Sequence, residues 1–554
     1  MFASTLVPAM EKCMIDAGVE SLARLPEEMS VLEGERFSFQ VAYRGVGEDA
    51  WLVAKDRWRI IGSIKVEGIP EENYTLRRVR HVPSLMPSYR KPRVDVDYIS
   101  TVPGFFPDLL DTPREIERVS FVYEQTNAYW IEIEGLKPGN YECTVTLTLL
   151  DEVHAHTLKL RVLDAKLPEQ EMILTQWFHT DCLSSYYDCE VFSERYWKIT
   201  ENFARVAVRN GINMLLTPIF TPPLDTAIGG ERPTVQLVDV SLDNGKYSFG
   251  FDNLDRWIDM CNRCGVKYLE ISHLFTQWGA GHAPKVMAKV NGEEKKIFGW
   301  ETDASEGEYP EFLSEFLPAF LDHMKARGDD KRCYFHISDE PNMNHIEQYM
   351  KSKRVVEKYL KGYPIMDALS NYEFFEQGLL DMPIPASNHI KPFIDNKVEN
   401  LWTYYCCGQN VNVSNRFFAM TGARTRAICA AFYKYDIVGF LQWGFNFYYD
   451  QGSHEICNPY LDTTGDYFVM SGDTFSVYPS PDGKALESIR ISCFYDALQD
   501  VRAMKLLESL TDKETVMQIL ESVLGKISFD ISNYPVSKML DMRKAINDKI
   551  SELI

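Results

Sequence analysis

From Ile173 to Trp443 the chain repeats one pattern, a short apolar run followed by a longer stretch with helical periodicity. The strand-like runs are Ile173–Phe178, Met214–Thr217, Tyr268–Ser272, Cys333–Ile337, Ile365–Leu369, Ile384–Ser387, Leu401–Cys406 and Val438–Trp443. Amphipathic periodicity marks 193–209, 252–264, 309–326, 343–361, 414–434 and 485–510, and is weak after the fifth and sixth runs. Such alternation argues for βα units and a parallel sheet. Eight strands with intervening helices predict a (β/α)8 TIM barrel over 171–510. The connections 218–250, 274–308 and 445–484 would then lie on the catalytic face, where loops of this length serve as lids or subsites.

Residues 1–170 read differently. Phe37–Tyr43 alternates as a half-buried strand does, and Tyr129–Ile133 and Tyr141–Leu149 flank the turn Gly135-Leu136-Lys137-Pro138-Gly139-Asn140. An N-terminal β-sandwich is expected, with Leu167-Pro168-Glu169-Gln170 as its exit linker. Residues 511–554 read as a helical C-terminal extension. The chain is thus a multidomain protein, all-β and then α/β.

Bulk properties exclude several functions. Of 554 residues, 45% are hydrophobic and 25% charged, ordinary for a soluble protein. A net charge of −22 argues against a nucleic-acid partner, which needs a basic face. The local exception, Arg77-Arg78-Val79-Arg80-His81 with Arg90, Lys91 and Arg93 nearby, reads as a solvated loop or an anionic-glycan contact. No apolar run reaches spanning length and the N-terminus lacks a signal pattern, so no membrane association and a cytoplasmic location are expected. Twelve scattered cysteines fit reduced thiols, and Cys261-Asn262-Arg263-Cys264 reads as structural. No HExxH, P-loop or dinucleotide fingerprint is present; neither a metal nor a cofactor is expected. Aromatic content of 13%, with 10 Trp and 29 Tyr, leaves room for sugar-stacking rings.

The fourth run ends in Tyr334-Phe335-His336-Ile337-Ser338-Asp339-Glu340-Pro341. Two adjacent carboxylates at a strand end can divide acid and stabilising roles, because like charges separate their proton affinities. The same residues would also serve as a helix cap.

Three groups of segments together resemble glycoside hydrolase family 123, β-N-acetylgalactosaminidases with a sandwich followed by a barrel. They are Phe105-Phe106-Pro107-Asp108-Leu109-Leu110 with Trp130-Ile131-Glu132-Ile133 and Pro138-Gly139-Asn140-Tyr141; Asp339-Glu340-Pro341; and Gly472-Asp473-Thr474-Phe475-Ser476-Val477-Tyr478-Pro479 with Pro481-Asp482-Gly483 and Ser488-Ile489-Arg490. The chain departs from the family at Ser480, where a glycine is expected, and in Phe494-Tyr495-Asp496-Ala497-Leu498-Gln499-Asp500. The resemblance implies substrate-assisted retention, in which the sugar's 2-acetamido oxygen attacks the anomeric carbon and no enzyme nucleophile is needed. It makes Glu340 the general acid/base and Asp339 the carboxylate that orients the acetamido group. The two can reach one sugar only if the strand has ended and the chain is turning.

Other candidate substrate contacts are argued from position. His336 shares a face with Glu340. Trp402, Tyr404 and Tyr405 lie on the seventh strand, where alternation keeps both tyrosines from pointing inward. Trp443 and Asn446 close the eighth strand, His179 and Asp181 follow the first, Asn371 and Tyr372 follow the fifth, and Trp278 and His282 sit in the third connection. The reading is a glycosidase acting on terminal β-linked N-acetylgalactosamine in glycan or glycoconjugate fragments. The alternatives are another sugar specificity on the same scaffold and a non-catalytic glycan-binding protein.

Overall fold

The computed structural model describes residues 2–48, 50, 62–90, 95, 97–112, 119, 122–149, 152–277, 279–341 and 343–554. Two mainly antiparallel sheets come first. One runs in the order Phe2–Pro8, Phe37–Gly45, Thr126–Ile133, Tyr74–Ser84, Gly104–Asp111; the other Glu28–Glu33, Glu152–Lys166, Gly139–Leu149, Gly62–Glu67. Among these described strands only Glu28–Glu33 pairs in parallel, with Glu152–Lys166. Val41, Tyr129 and Ile131 of the first sheet and Val145, Leu147 and Leu160 of the second share one buried core. Strand alternation sends Ala42, Trp130 and Leu110 to the opposite face, where they join the larger core of the following region.

The basic run Arg77–His81 is not a loop. It lies within Tyr74–Ser84, and Arg77 is buried between Glu132, at 2.7 Å, and Glu487. Arg209 also meets Glu132, at 2.5 Å, so the charges join this sheet to the α/β region. Lys91 and Arg93 lie outside the described residues.

Six parallel strands form the next sheet, in the order Cys333–Phe335, Tyr268–Ile271, Met214–Thr217, Ile173–Gln176, Gly439–Gln442, Trp402–Tyr404. Met366–Ala368 and Met382–Ile384 form a separate parallel pair. Bridges Phe335↔Ile365 and Ala386↔Tyr404 link that pair to both edges of the six, so the sheet curls. The sixth strand begins two residues before the run read from the sequence and ends at Ile384. Ser193 and Ser488 cap the helices Glu194–Arg209 and Ile489–Leu510 by accepting N–H bonds from Tyr196 and Ile491. Between the fifth, sixth and seventh strands only the short helices Tyr372–Glu376 and Lys391–Asp395 form among the described residues, which accounts for the weak periodicity there.

The concave face of the curl is packed by large side chains. Gly439 is obligatory, because a Cβ there would stand 2.1 Å from the Trp402 indole. The long connections are not irregular: Asp239–Asp243, Lys246–Gly250, Val286–Val290 and Glu293–Phe298 make a four-stranded sheet from two of them. The C-terminal helices Lys513–Leu524 and Val536–Leu553 fold back on the chain. Arg543 contacts Asp500 at 3.1 Å and Glu35 at 2.5 Å, tying the tail to the last long helix and the N-terminal region.

A second ion pair crosses between the regions. Arg490 meets Asp108 with Nε to Oδ1 at 2.8 Å and Nη2 to Oδ2 at 3.0 Å, and Tyr478 donates to Asp108 at 2.6 Å. Arg490 Nη1 also donates to the carbonyls of Gly472 and Phe475. Both partners are buried, so removing one strands the other. Asp108→Ala should therefore lower the unfolding free energy by about 3–5 kcal/mol, and Asp108→Leu with Arg490→Met should recover much of it, read by urea unfolding.

Candidate active site

The fourth parallel strand stops at Phe335, and the chain then turns. Glu340 has φ +45°, the left-handed region, followed by Pro341, which disfavours a right-handed helical conformation at Glu340. A non-glycine residue held there costs on the order of 1–3 kcal/mol. The turn breaks the strand's alternation, leaving Asp339 half-buried and Glu340 exposed side by side. Tyr404, on the seventh strand, donates its hydroxyl to Glu340 Oε1 at 2.8 Å. No donor among the described residues reaches the Asp339 carboxylate. Burial pushes its proton affinity well up, the charges of Glu340 and Asp225 add to this, and His336 opposes them.

His336 is buried inside the sheet. Its Nε2 faces Glu270 Oε1 at 2.7 Å and its Nδ1 faces Asp367 Oδ1 at 3.2 Å. Glu270 also receives the Thr175 hydroxyl and Trp177 Nε1–H, the latter at 2.9 Å. Asp367 also receives Tyr349 O–H at 2.7 Å and the backbone N–H groups of Ile337 and Ser338 at 3.1 and 3.3 Å. The other partners of both carboxylates are all donors, which places the ring to donate from both nitrogens. Burial disfavours that charge, but the two carboxylates prevail and hold the imidazole up to about 9. The ring stacks on His273 at 4.2 Å; burial holds His273 neutral, with both nitrogens lacking partners among the described residues.

The eighth strand contributes Trp443, whose Nε1–H donates to Asp473 at 2.9 Å. Burial pushes Asp473 up to about 6 against the pull of Arg416. His179 donates Nε2–H to the Trp443 carbonyl at 2.8 Å and accepts from Arg232 at Nδ1, 3.1 Å away; burial, then Arg232, hold it neutral, down to about 4. Arg232 pairs with Asp181 at 2.6 Å, and Asn446 exchanges two hydrogen bonds with the His179 backbone. His179, Asp181 and Asn446 are thus committed to protein partners.

Of the residues expected from the sequence, the structure brings Asp339, Glu340 and Tyr404 together, with His336 inside the sheet and Trp443 nearby through Asp473. Tyr405 faces outward against Phe440 and Phe494. Trp402 is buried against Gly439 and Tyr334. Asn371 caps Tyr372–Glu376, and Tyr372 packs on Phe393. His282 is exposed beside Trp300. Trp278 lies outside the described residues. Sequence reasoning missed Glu270, Asp367, Arg232 and Asp225. A carboxylate in the middle of an apolar strand was the available signal for Glu270 and Asp367. Asp225 had none: it is half-buried in the second connection, and burial, aided by Glu340 and Asp473, pushes it up to about 7.

The clamp on His336 has a pH signature. Its folded proton affinity is raised above the ordinary value near 6.5, so its stabilisation is full below that pH and is lost as pH rises through about 9. Wild-type unfolding free energy should fall between pH 6.5 and 9.5 by on the order of 3 kcal/mol from this group. The decrement should be missing in His336→Gln when both are followed by urea unfolding.

The sequence matches the family described as Glycoside hydrolase 123, catalytic domain, over residues 177–507, more than half of the chain. A family 123 glycoside hydrolase from Clostridium perfringens, solved in a study of glycolipid glycan hydrolysis, superposes with TM-score 0.74 at 14% identity, covering 100% of this chain and 99% of that one. An endo-beta-1,4-mannanase from Thermotoga petrophila gives TM-score 0.32 at 10% identity, covering 60% and 77% of the two chains. No curated protein matches. The match to the catalytic-domain family covers both the Asp339-Glu340 turn and the loop that carries Asp473, and the chain belongs to glycoside hydrolase family 123.

Proposed function

We propose that this glycoside hydrolase releases a terminal β-linked N-acetylgalactosamine with retention, through participation of the substrate's own 2-acetamido group. The observation that carries the reading is the pair at the turn: Asp339 without a donor among the described residues, and Glu340 beside it under the Tyr404 hydroxyl. An acetamido N–H would supply the donor that Asp339 lacks. Its ionised form would stabilise positive charge as the acetamido oxygen closes on the anomeric carbon. Glu340, protonated on the oxygen not bonded by Tyr404, would deliver that proton to the departing glycosidic oxygen. Water deprotonated by Glu340 would then open the oxazolinium, giving two inversions and net retention.

On this reading residues 1–170 are a β-sandwich, 171–510 a closed (β/α)8 barrel and 511–554 a helical extension. The two isolated bridges joining the parallel pair to the six-stranded sheet support closure. The site then lies at the strands' C-terminal ends, where barrel enzymes carry their chemistry. Twelve unpaired cysteines suit a reducing, cytoplasmic compartment, and no helix among the described residues is long and apolar enough to cross a membrane. The substrate would be a glycoconjugate fragment. The glycolipid glycans named for the Clostridium perfringens enzyme are the first class to try.

A second reading has one observation behind it. The charge of Glu340 acts on a third carboxylate, Asp225, which in a conventional retaining mechanism would be the nucleophile.

Purified protein should release p-nitrophenol from β-linked N-acetylgalactosaminide and not from the galactoside. Glu340→Gln should lose roughly 10²- to 10⁴-fold on a sugar aglycone and far less on a leaving group that departs without protonation. A thiazoline mimic of the intermediate should inhibit; covalent trapping of Asp225 by a 2-fluoro glycoside would instead establish the second reading.

A further inference from the structure

A cavity of about 970 Å³ opens between the N-terminal strands and the loops of the α/β region, and none of Asp225, Asp339, Glu340 and Asp473 lines it. One wall carries the outer part of the basic run Arg77–His81. Strand pairing sets Arg78 opposite Asp111, and Arg80, two residues on, brings Nη1 to 3.6 Å from Asp111 Oδ2. Arg78 is engaged by the protein, and His81 donates Nε2–H to the Cys13 carbonyl at 2.9 Å. The other wall is aromatic. Tyr186 and Tyr187 end the helix Thr180–Tyr187, and Tyr460 comes from the eighth connection. Tyr187 donates its hydroxyl to the Ser480 carbonyl at 2.8 Å, and Tyr460 donates to the Pro479 carbonyl at 2.9 Å. Tyr186 stands edge-on to Tyr187 with ring centroids 5.2 Å apart, so all three rings are held in place.

We infer that this groove is a second, non-catalytic glycan-binding site, which takes neutral pyranose residues of an oligosaccharide. Three groups in it keep hydrogen-bonding capacity. The Arg80 guanidinium, 51% exposed, the Asp111 carboxylate and the Tyr186 hydroxyl make no side-chain hydrogen bond to another described residue, and at 3.6 Å the Arg80–Asp111 pair is longer than a hydrogen bond. An apolar wall with a few convergent polar groups is the usual form of a small-molecule site. A pyranose presents apolar C–H faces and a rim of hydroxyls that both donate and accept. Tyrosine rings cover the faces at little cost in side-chain freedom. Arginine brings only donors and aspartate only acceptors, so the two together serve the rim. Charge settles the class of sugar. Asp111 offsets Arg80, and the whole chain carries −22, so a sulfate or carboxylate on the ligand would gain little attraction.

A second point of attachment raises the effective concentration of a glycan's terminal sugar at the mouth of the sheet without adding a catalytic group. The gain belongs to glycans long enough to span both places; an aryl monosaccharide receives none of it.

A glycan array carrying neutral and acidic oligosaccharides tests this, probed with Glu340→Gln protein so that turnover is suppressed and with N-acetylgalactosamine added to compete at the mouth of the sheet. Neutral glycans should be retained. Arg80→Ala or Tyr186→Ala in the same background should weaken their retention by on the order of tenfold. Both side chains are partly exposed and lack hydrogen bonds to other described residues, so both variants should unfold near the temperature of the parent. Arg80→Lys should bind as poorly as Arg80→Ala, because an ammonium keeps the charge and loses the planar fork. Absence of retention, retention confined to acidic glycans, rescue by Arg80→Lys, or retention untouched by both alanine variants would overturn the inference. Neither variant alters Asp339 or Glu340. Groove-dependent retention by a protein that turns over no N-acetylgalactosaminide would therefore keep the second site and reject the proposed function, and turnover without groove-dependent retention would do the reverse.

Discussion

The buried pair between Asp108 and Arg490 ties together segments that are far apart in sequence. Asp108 sits on an edge strand of the N-terminal sheet, and Arg490 opens the last long helix of the family region. Two parallel hydrogen bonds fix the guanidinium, and its Nη1 holds the carbonyls of Gly472 and Phe475. Between those carbonyls lies Asp473, which orients the Trp443 ring through its Nε1–H. A bidentate guanidinium is suited to this because its donors are coplanar and pre-set; a lysine would satisfy one direction only. Gly472, with φ +102° and a side-chain position blocked by Phe418, lets the loop come close enough. The mouth of the sheet is therefore braced from outside by the N-terminal region.

The interior of the sheet does the complementary work from below. Most parallel barrels enclose branched apolar side chains. Here apolar contacts around Trp402 and Gly439 give way to Thr175, Glu270, His336 and Asp367. Such a network is tolerable in low dielectric only if every member is satisfied. Glu270 and Asp367 meet that condition by accepting several donors each, and His336 by donating from both nitrogens. The satisfied layer leaves the layer above it open: among the described residues Asp339 has no donor and Glu340 one. On the proposed mechanism a substrate would complete the second layer.

Much of this was legible in the sequence, for identifiable reasons. Strand positions followed from short apolar runs, and Met214–Thr217 matches to the residue. The turn at Asp339-Glu340 was legible because adjacent carboxylates cannot share a site on a regular strand. The motif residues Asp108, Gly472, Tyr478 and Arg490 came from a family resemblance, and the structure gives the reason for all four in one ion pair with its collars. What the sequence left open was direction. His179, Asp181 and Asn446 come after strand ends, as binding residues do, yet their polar atoms are consumed by Arg232 and by the backbone. Tyr405 differs from Tyr404 by one residue and so faces the opposite way. The sheet built from the long connections was hidden because its strands are short and one of them, Glu293–Phe298, is charged and mostly exposed with little apolar alternation.

Charge finally restricts what can be cut. Asp225, Asp339, Glu340 and Asp473 act on one another electrostatically at the mouth of the sheet, and burial raises the proton affinities of Asp225, Asp339 and Asp473. The cations that act on them among the described residues, Arg232, Arg416 and His336, are bonded to protein acceptors. A sugar bearing a carboxylate or sulfate at the cleaved residue would meet this field with none of those cations free to receive it. A neutral sugar would meet acceptors for its hydroxyl and amide protons. The same field works in favour of a transition state that gathers positive charge at the anomeric carbon and the acetamido nitrogen. On the proposed mechanism, acidity at the mouth of the sheet would favour a neutral amino sugar on entry and stabilise it most where positive charge develops.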